Sequence, residues 1–196
     1  RINTNVSSLA AQRSLSTNTR ESQDTLAKLS SGSRITKAAD DAAGLAISEK
    51  LKARIKSTDQ ANRNANDGIS MVQTAEGGLD EISSMLTRLR ELSVQSASDT
   101  VGDTERSFTD MEYQNLKQEI ERISQVTEFN GTKLLNGQGD KLDFQIGVNN
   151  DGFQDRISYD VQMTNASISS LGVDGLSAAT KEGAQTSLST IDSAIE

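Results

Sequence analysis

The side chains that could do chemistry are defined first by what is missing. The chain of 196 residues contains no His and no Cys. That removes the usual neutral-pH general base, the thiol nucleophile and the commonest soft metal ligands. Ser is abundant, but a Ser nucleophile needs a base; a Ser–Lys pair is conceivable on numbers alone, and nothing places one in a pocket. Asp40 and Asp41 stand side by side and could hold a cation. At the head of a helical pattern, however, adjacent carboxylates serve as caps and as partners of the helix dipole. The stretch Asn149–Asp155 superficially resembles a calcium loop. It lacks the alternating acidic ligands and the closing Glu, so a turn is the expected reading. The zinc-peptidase motif HExxH cannot be written without His. The sequence therefore points to no catalytic residue, no cofactor-binding residue, no metal ligand and no enzyme.

Composition narrows the classes further. There is no Pro and no Trp, and aromatic residues make up 3%. Absence of Pro suits long unbroken helices, and so few aromatics argue against a compact core around a ligand pocket. Residues 1–33 carry Arg1, Arg13, Arg20 and Lys28 against Glu21 and Asp24, a balance of +2, which leaves −10 of the −8 total on the remainder. An acidic body is a poor match for the phosphates of nucleic acid. No apolar run approaches transmembrane length, and no charged-then-apolar secretory signal is present. Composition alone suggests a cytoplasmic protein with no membrane insertion.

The elements are organised around Leu29–Leu51. Ser30-Ser31-Gly32-Ser33 is turn chemistry, because Ser hydroxyls compete for backbone groups and Gly tolerates positive φ. A short polar elbow with Arg34, Lys37, Asp40 and Asp41 follows, and Asp40 or Asp41 can cap the next helix. Upstream, Asn3–Leu29 reads as a helix with a thin stripe that includes Ile2, Val6, Leu9, Leu15 and Leu26. Such a helix cannot hold itself on a domain without a partner. Downstream, Leu45–Ser98 is one long pattern. Leu51, Ile55, Thr58, Asn62, Ala65, Ile69 and Val72 step four and three, and Ala75, Leu79, Ile82, Leu86 and Leu89 continue the seam. This is heptad-like spacing with polar interruptions, and at 1.5 Å per residue it predicts a rod of roughly 80 Å. Gly77-Gly78 is its weak point.

A return helix is expected over 104–127, with Phe108, Met111, Leu116, Ile120, Ile123 and Val126 on one face and Tyr113 adjoining. After Phe129-Asn130-Gly131 the period changes to two. Leu142, Phe144, Ile146 and Val148, then Ile157, Tyr159, Val161 and Met163, predict a β-hairpin with one buried face. Its apolar side (Phe144, Ile146, Tyr159, Val161) is expected to pack near Phe129. Asn165–Thr180 reads as a loop. Ala184, Leu188, Ile191 and Ile195 then open another helix, and stopping inside that seam without a cap suggests a chain truncated before its C-terminal helices.

Four ordered motifs carry a resemblance to bacterial flagellin, the subunit of the flagellar filament. They are Arg1-Ile2-Asn3-Thr4-Asn5, the run Leu29–Leu51 (LSSGSRITKAADDAAGLAISEKL), Leu89-Arg90-Glu91-Leu92-Ser93-Val94-Gln95, and Phe129-Asn130-Gly131-Thr132-Lys133-Leu134-Leu135. The resemblance covers essentially the whole chain. The expected fold is mainly α: an elongated antiparallel helical bundle or coiled coil with a β-hairpin. Its parts are an inner helix over 1–33, an elbow over 34–44 and a rod domain over 45–196, with the long helix at 45–98, the return helix at 104–127, the hairpin region at 129–164 and a helix start at 181–196.

The resemblance implies a structural protein that polymerises with its own kind into an extracellular filament for swimming motility. It also implies export by the flagellar type III apparatus with an export chaperone and no cleaved signal. Val6, Leu9, Leu15, Leu26, Arg34, Asp40 and Asp41 are the expected assembly residues. Some flagellins are sensed by a vertebrate Toll-like receptor, and the positions matching that contact patch are Arg88, Leu92, Gln95 and Glu112. A hook–filament junction protein and a non-polymerising coiled-coil adaptor are the alternatives.

Overall fold

A computed structural model describes residues 5–195. The expected helix start at Asn3, together with Ile2, lies outside the described residues. The chain is mainly helical, with small two-stranded antiparallel sheets, and divides into two compact units, Arg1–Asp59 and Gln60–Glu196.

In the first unit, α1 (Val6–Ser31) starts where the Asn5 side chain accepts a hydrogen bond from the Ser8 N–H at 3.1 Å. It stops at Gly32, which takes the left-handed conformation (φ 66°) and donates its N–H to the Leu29 carbonyl at 3.3 Å. Only a residue without a Cβ adopts that cap freely. α2 (Ala42–Ser96) begins under Asp41, whose carboxylate accepts the Gly44 N–H at 2.8 Å. Of the two carboxylates at this helix head, Asp41 is thus the cap. Asp40 turns back and accepts the Thr36 and Lys37 N–H groups, each at 3.3 Å.

The second unit contains the core. From Ala61 onward, α2 buries Gly68, Met71, Ala75, Ile82, Leu86, Leu89, Leu92, Ser93 and Ser96. α3 (Asp103–Val126) returns antiparallel to it. Arg106 bonds the Ser96 carbonyl, Arg88 pairs with Glu112, and Thr127 lies beside Gly78. Arg106 is itself buried, and its guanidinium donates to the Ser96 and Ser98 carbonyls at 2.9 and 2.8 Å. It thereby satisfies carbonyls that the end of α2 leaves free. α4 (Lys181–Ile195) also runs antiparallel to α2, as the pairs Arg90–Asp192 and Asp99–Lys181 require. Tyr113, Leu89, Ile120 and Ile191 are fully enclosed among these three helices.

The buried face of α3 is rotated from the expected one. Arg106, Tyr113, Lys117, Ile120 and Ser124 line it, stepping seven, four, three and four, together with Ile123. Phe108, Met111 and Val126 are half exposed or more. Apolar spacing alone misled because two long basic side chains occupy core positions, where their stems pack and their heads bond backbone carbonyls.

Two hairpins follow. β1 (Glu128–Phe129) and β2 (Thr132–Lys133) pair around Asn130-Gly131, both at positive φ (50° and 80°), as a tight two-residue hairpin demands. β3 (Leu142–Gln145) and β4 (Arg156–Tyr159) pair in the register Leu142↔Tyr159 and Phe144↔Ile157. These strands are shorter than the alternation suggested, and Met163 is left 86% exposed. Phe144 packs on Gly68, where an added Cβ would sit 3.3 Å from the ring. Gly78, beside Thr127 and Leu135, lies ten residues farther along α2, roughly 15 Å away at the helical rise. Phe144 is therefore seated nearer the start of α2 than the level of Thr127.

α2 continues through Gly77-Gly78 without a break. Gly78 is a point of close approach, since a Cβ there would meet Leu135 at 2.8 Å and Thr127 at 2.9 Å, whereas nothing lies within 4 Å of one at Gly77. Gly77→Ala should therefore stabilise the chain by about 1 kcal/mol, the usual helical difference between the two residues. Gly78→Ala should lower the melting temperature, because Leu135 is fully buried and has nowhere to move. Thermal melts of the two variants check this, and equal shifts would contradict the close approach.

Candidate functional site

The carboxylates of the loop between β3 and β4 are bonded to backbone. Asp155 is buried, and its carboxylate accepts the Asn149 and Asp151 N–H groups at 3.3 and 3.0 Å. Asp151 accepts the Phe153 and Gln154 N–H groups at 2.8 and 2.9 Å. These loop carboxylates hold backbone, as a hairpin connection needs. Among the described residues, no group of three or more acidic, His or Cys side chains could hold a metal. None of the described helices is long and apolar enough to cross a membrane. A groove of about 330 Å³ lies between α2 and β3–β4, lined chiefly by Ala65, Ile69, Val72, Phe144 and Tyr159. It converges no set of polar groups that could act on a substrate.

What the first unit presents is an apolar surface without a core. No described residue before Gln60 is buried. On α1, Val6 is 67% exposed, Leu15 68%, Leu26 63% and Leu29 78%. Leu9 is about half exposed, and Ile47, Leu51 and Ile55 on α2 are likewise open. The apolar positions expected to take part in assembly (Val6, Leu9, Leu15, Leu26) are thus in water in the isolated chain. Each would gain about 1.5–3 kcal/mol from full burial.

The elbow of this unit is held by charge. Lys28 reaches Asp40 at 3.1 Å, and Lys37 reaches Asp24 at 2.6 Å, tying the elbow to the last turns of α1. The Lys28 hydrogen bond, followed by the Thr36 N–H, keeps the Asp40 carboxyl below its ordinary range. The Asp24 hydrogen bond and charge raise the Lys37 ammonium. A lowered carboxyl contributes above its unfolded value and is lost as pH falls through its folded one, and a raised ammonium is lost only as pH rises through its own. The elbow is therefore tied across the whole range between. Arg34 is exposed, and Asp41 is occupied as the cap of α2.

In the second unit, the four positions Arg88, Leu92, Gln95 and Glu112 divide into two sets. Arg88 donates to Glu112 at 2.8 and 3.0 Å and to Glu91 at 2.8 Å, which forms a surface network bridging α2 and α3. Gln95 is exposed. Leu92 is 2% exposed and belongs to the core. The accessible patch is Arg88, Glu91, Gln95 and Glu112. The resemblance carried Leu92 into the patch by position, and the fold buries it.

The family model described as the bacterial flagellin N-terminal helical region matches residues 2–140. The chain is 49% identical over 148 residues to flagellin from Halalkalibacterium halodurans, covering 76% of this chain and 54% of that protein. It thus spans about half the length of that curated relative. It is 39% identical over 206 residues to a flagellar filament 30.7 kDa core protein of Treponema maltophilum, covering 99% of this chain and 72% of that one. Among solved structures, Bacillus cereus flagellin superposes with a TM-score of 0.58 at 30% identity, over 68% of this chain and 74% of the other.

Proposed function

Because the chain belongs to the bacterial flagellin family, we propose that it is a structural, non-enzymatic subunit that polymerises with copies of itself into the extracellular flagellar filament that drives swimming. The observation that carries this reading is the first unit. It has well-capped helices, eight large apolar side chains in water and no described residue buried. A thin amphipathic helix of this kind gains its stability from tertiary partners and not from its own propensity. Polymerisation supplies such partners by setting apolar stripes of successive subunits against one another. The ion pairs of the elbow would then fix the angle at which α1 is offered to its neighbours. Val6, Leu9, Leu15 and Leu26 act as the apolar contact, and Arg34, Asp40 and Asp41 as the polar hinge of the same surface. Delivery through the flagellar type III apparatus, with an export chaperone covering the apolar helices before assembly, fits a chain that exposes so much of them.

Seeded polymerisation followed by electron microscopy tests this function. The protein with its natural termini should extend filament seeds. Leu9→Asp with Leu15→Asp should abolish extension, since two carboxylates in an apolar contact are costly to desolvate. The thermal melt of the second unit should not change. Undiminished extension by the double variant would refute the assignment of α1.

The surface network at Arg88 supports a second contact of the same protein, with a vertebrate Toll-like receptor. Arg88, Gln95 and Glu112 offer paired charges and an amide on one face of the α2–α3 pair, and Glu91 shares the network. Leu92, being buried, would support this face from below. Arg88→Ala with Glu112→Ala should cut receptor-reporter activation by at least tenfold without moving the melting temperature by more than a few degrees, as expected of exposed ion pairs. Unchanged activation would remove the receptor contact and leave the filament role intact.

A further inference from the structure

The segment between β4 and α4 is anchored at several places, among them the Ala166 N–H on the Leu135 carbonyl and the Ile168 N–H on Glu121. The anchor nearest α4 is built by side chains of α3. Val173 and Ala178 are fully buried, and the backbone between them is met by three side chains from α3. Asp110 accepts the Ala178 N–H at 2.7 Å and the Ser177 hydroxyl at 2.8 Å. Gln114 donates to the Leu176 carbonyl at 3.3 Å and to Asp110 at 3.2 Å. Lys117, 7% exposed, donates to the Leu176 carbonyl at 3.0 Å and to the Asp174 carbonyl. Residues 110, 114 and 117 lie four and three apart, on one face of α3. A carboxylate at one end takes donors and an ammonium at the other end supplies them, so the backbone of 174–178 is gripped from both sides. This segment leads directly into α4.

We propose that Asp110, Gln114 and Lys117 form an acid-released clasp, which seats residues 174–178 and with them the start of α4, and which opens when Asp110 is protonated. All three donors converge on Asp110 Oδ1. Protonation at the other oxygen turns three charge-assisted bonds into weaker bonds to a neutral carbonyl oxygen and removes the charge facing Lys117, which loosens the segment at its anchor nearest α4.

The groups around the clasp set the direction of the response. Asp110 faces Lys117 and Tyr113 from its own helix, and Lys117 faces Asp174 from the segment. α2 and α4 contribute Ser93 and Ser187 beside the Tyr113 hydroxyl, and neither titrates. Burial works against ionisation of Asp110, but the bonds from Ser177, Ala178 and Gln114 and the Lys117 charge outweigh it and hold the carboxyl below its ordinary value. Burial lowers Lys117, opposed by Asp174 and Asp110. In both cases the released state binds more protons than the seated one. Acid therefore opens the clasp, and alkali does not, because a neutral amine still donates to the two carbonyls.

The chain has no Cys, so pairs of spin labels can be placed without interference. One pair, at Asn115→Cys and Ser189→Cys, reports on α3 against α4, and a second, at Ser83→Cys and Gln118→Cys, reports on α2 against α3. At neutral pH both should give single short distances. On acidification through the carboxylate range, the α3–α4 pair should acquire a second, longer population while the α2–α3 pair stays fixed. Asp110→Asn should remove this response and leave one pH-independent distribution. Lys117→Met should move the release to higher pH, since Asp110 then lacks its cation. Asp192→Asn, which breaks the surface pair with Arg90, should release as the unmodified protein does. An acid response retained in Asp110→Asn, or loss of it in Asp192→Asn, would overturn the proposal. So would separation of both label pairs at a single pH.

Discussion

Everything in the second unit depends on one seam, the side of α2 that runs from Met71 through Ala75, Ile82, Leu86 and Leu89 to Leu92. With 34% hydrophobic residues and very few aromatics, the chain has little apolar surface to spend. It concentrates that surface on one stripe and brings every other element to it. α3 places Tyr113 and Ile120 on the seam, α4 places Ile191, and the connections deliver Leu134, Leu135, Ala166 and Val173. Close approach is what makes so small a core sufficient. Gly68 admits the Phe144 ring and Gly78 admits Leu135, so the seam stays in van der Waals contact where larger residues would hold its partners away.

Polar groups finish what the apolar stripe cannot. Arg106 closes the carbonyl end of α2, and Lys117 satisfies carbonyls of the segment before α4. Both are nearly enclosed, and both spend their donors on backbone oxygens that would otherwise be buried unpaired. The first unit has the same caps and turns but no seam. Its order rests on local bonds such as the Asn5 cap, the Gly32 stop and the two elbow ion pairs. One unit buries its stripe and the other displays it.

Local chemistry was legible in the sequence wherever a single residue determines a backbone conformation. Gly32 stops α1 and Asp41, one of the two carboxylates expected as the cap, starts α2, whereas the short hairpin at Asn130-Gly131 was read only as a change of period. The long helix, the return helix and the β3–β4 pairing were equally readable from periodicity. The face of α3 was not. A rule that counts apolar residues selects Phe108 and Met111, whereas the fold buries Arg106 and Lys117, because the carbonyls those two satisfy belong to segments 8 to 59 residues away in the chain. Leu92, carried into a surface patch by the family resemblance, is covered in the same way. Which side of a long helix is covered depends on what arrives later in the chain, and spacing within the helix carries no record of it.

The central claim is that the first unit obtains from assembly the burial it lacks alone. Amide hydrogen exchange over residues 5–31, compared between the free protein and its polymer, tests it most directly. The account predicts fast exchange along α1 in the free protein, slow exchange across Ile82–Ser93 in both states, and strong protection of α1 only after polymerisation. Equal protection of α1 in the two states would show that the helix is stable without neighbours, and would contradict the account.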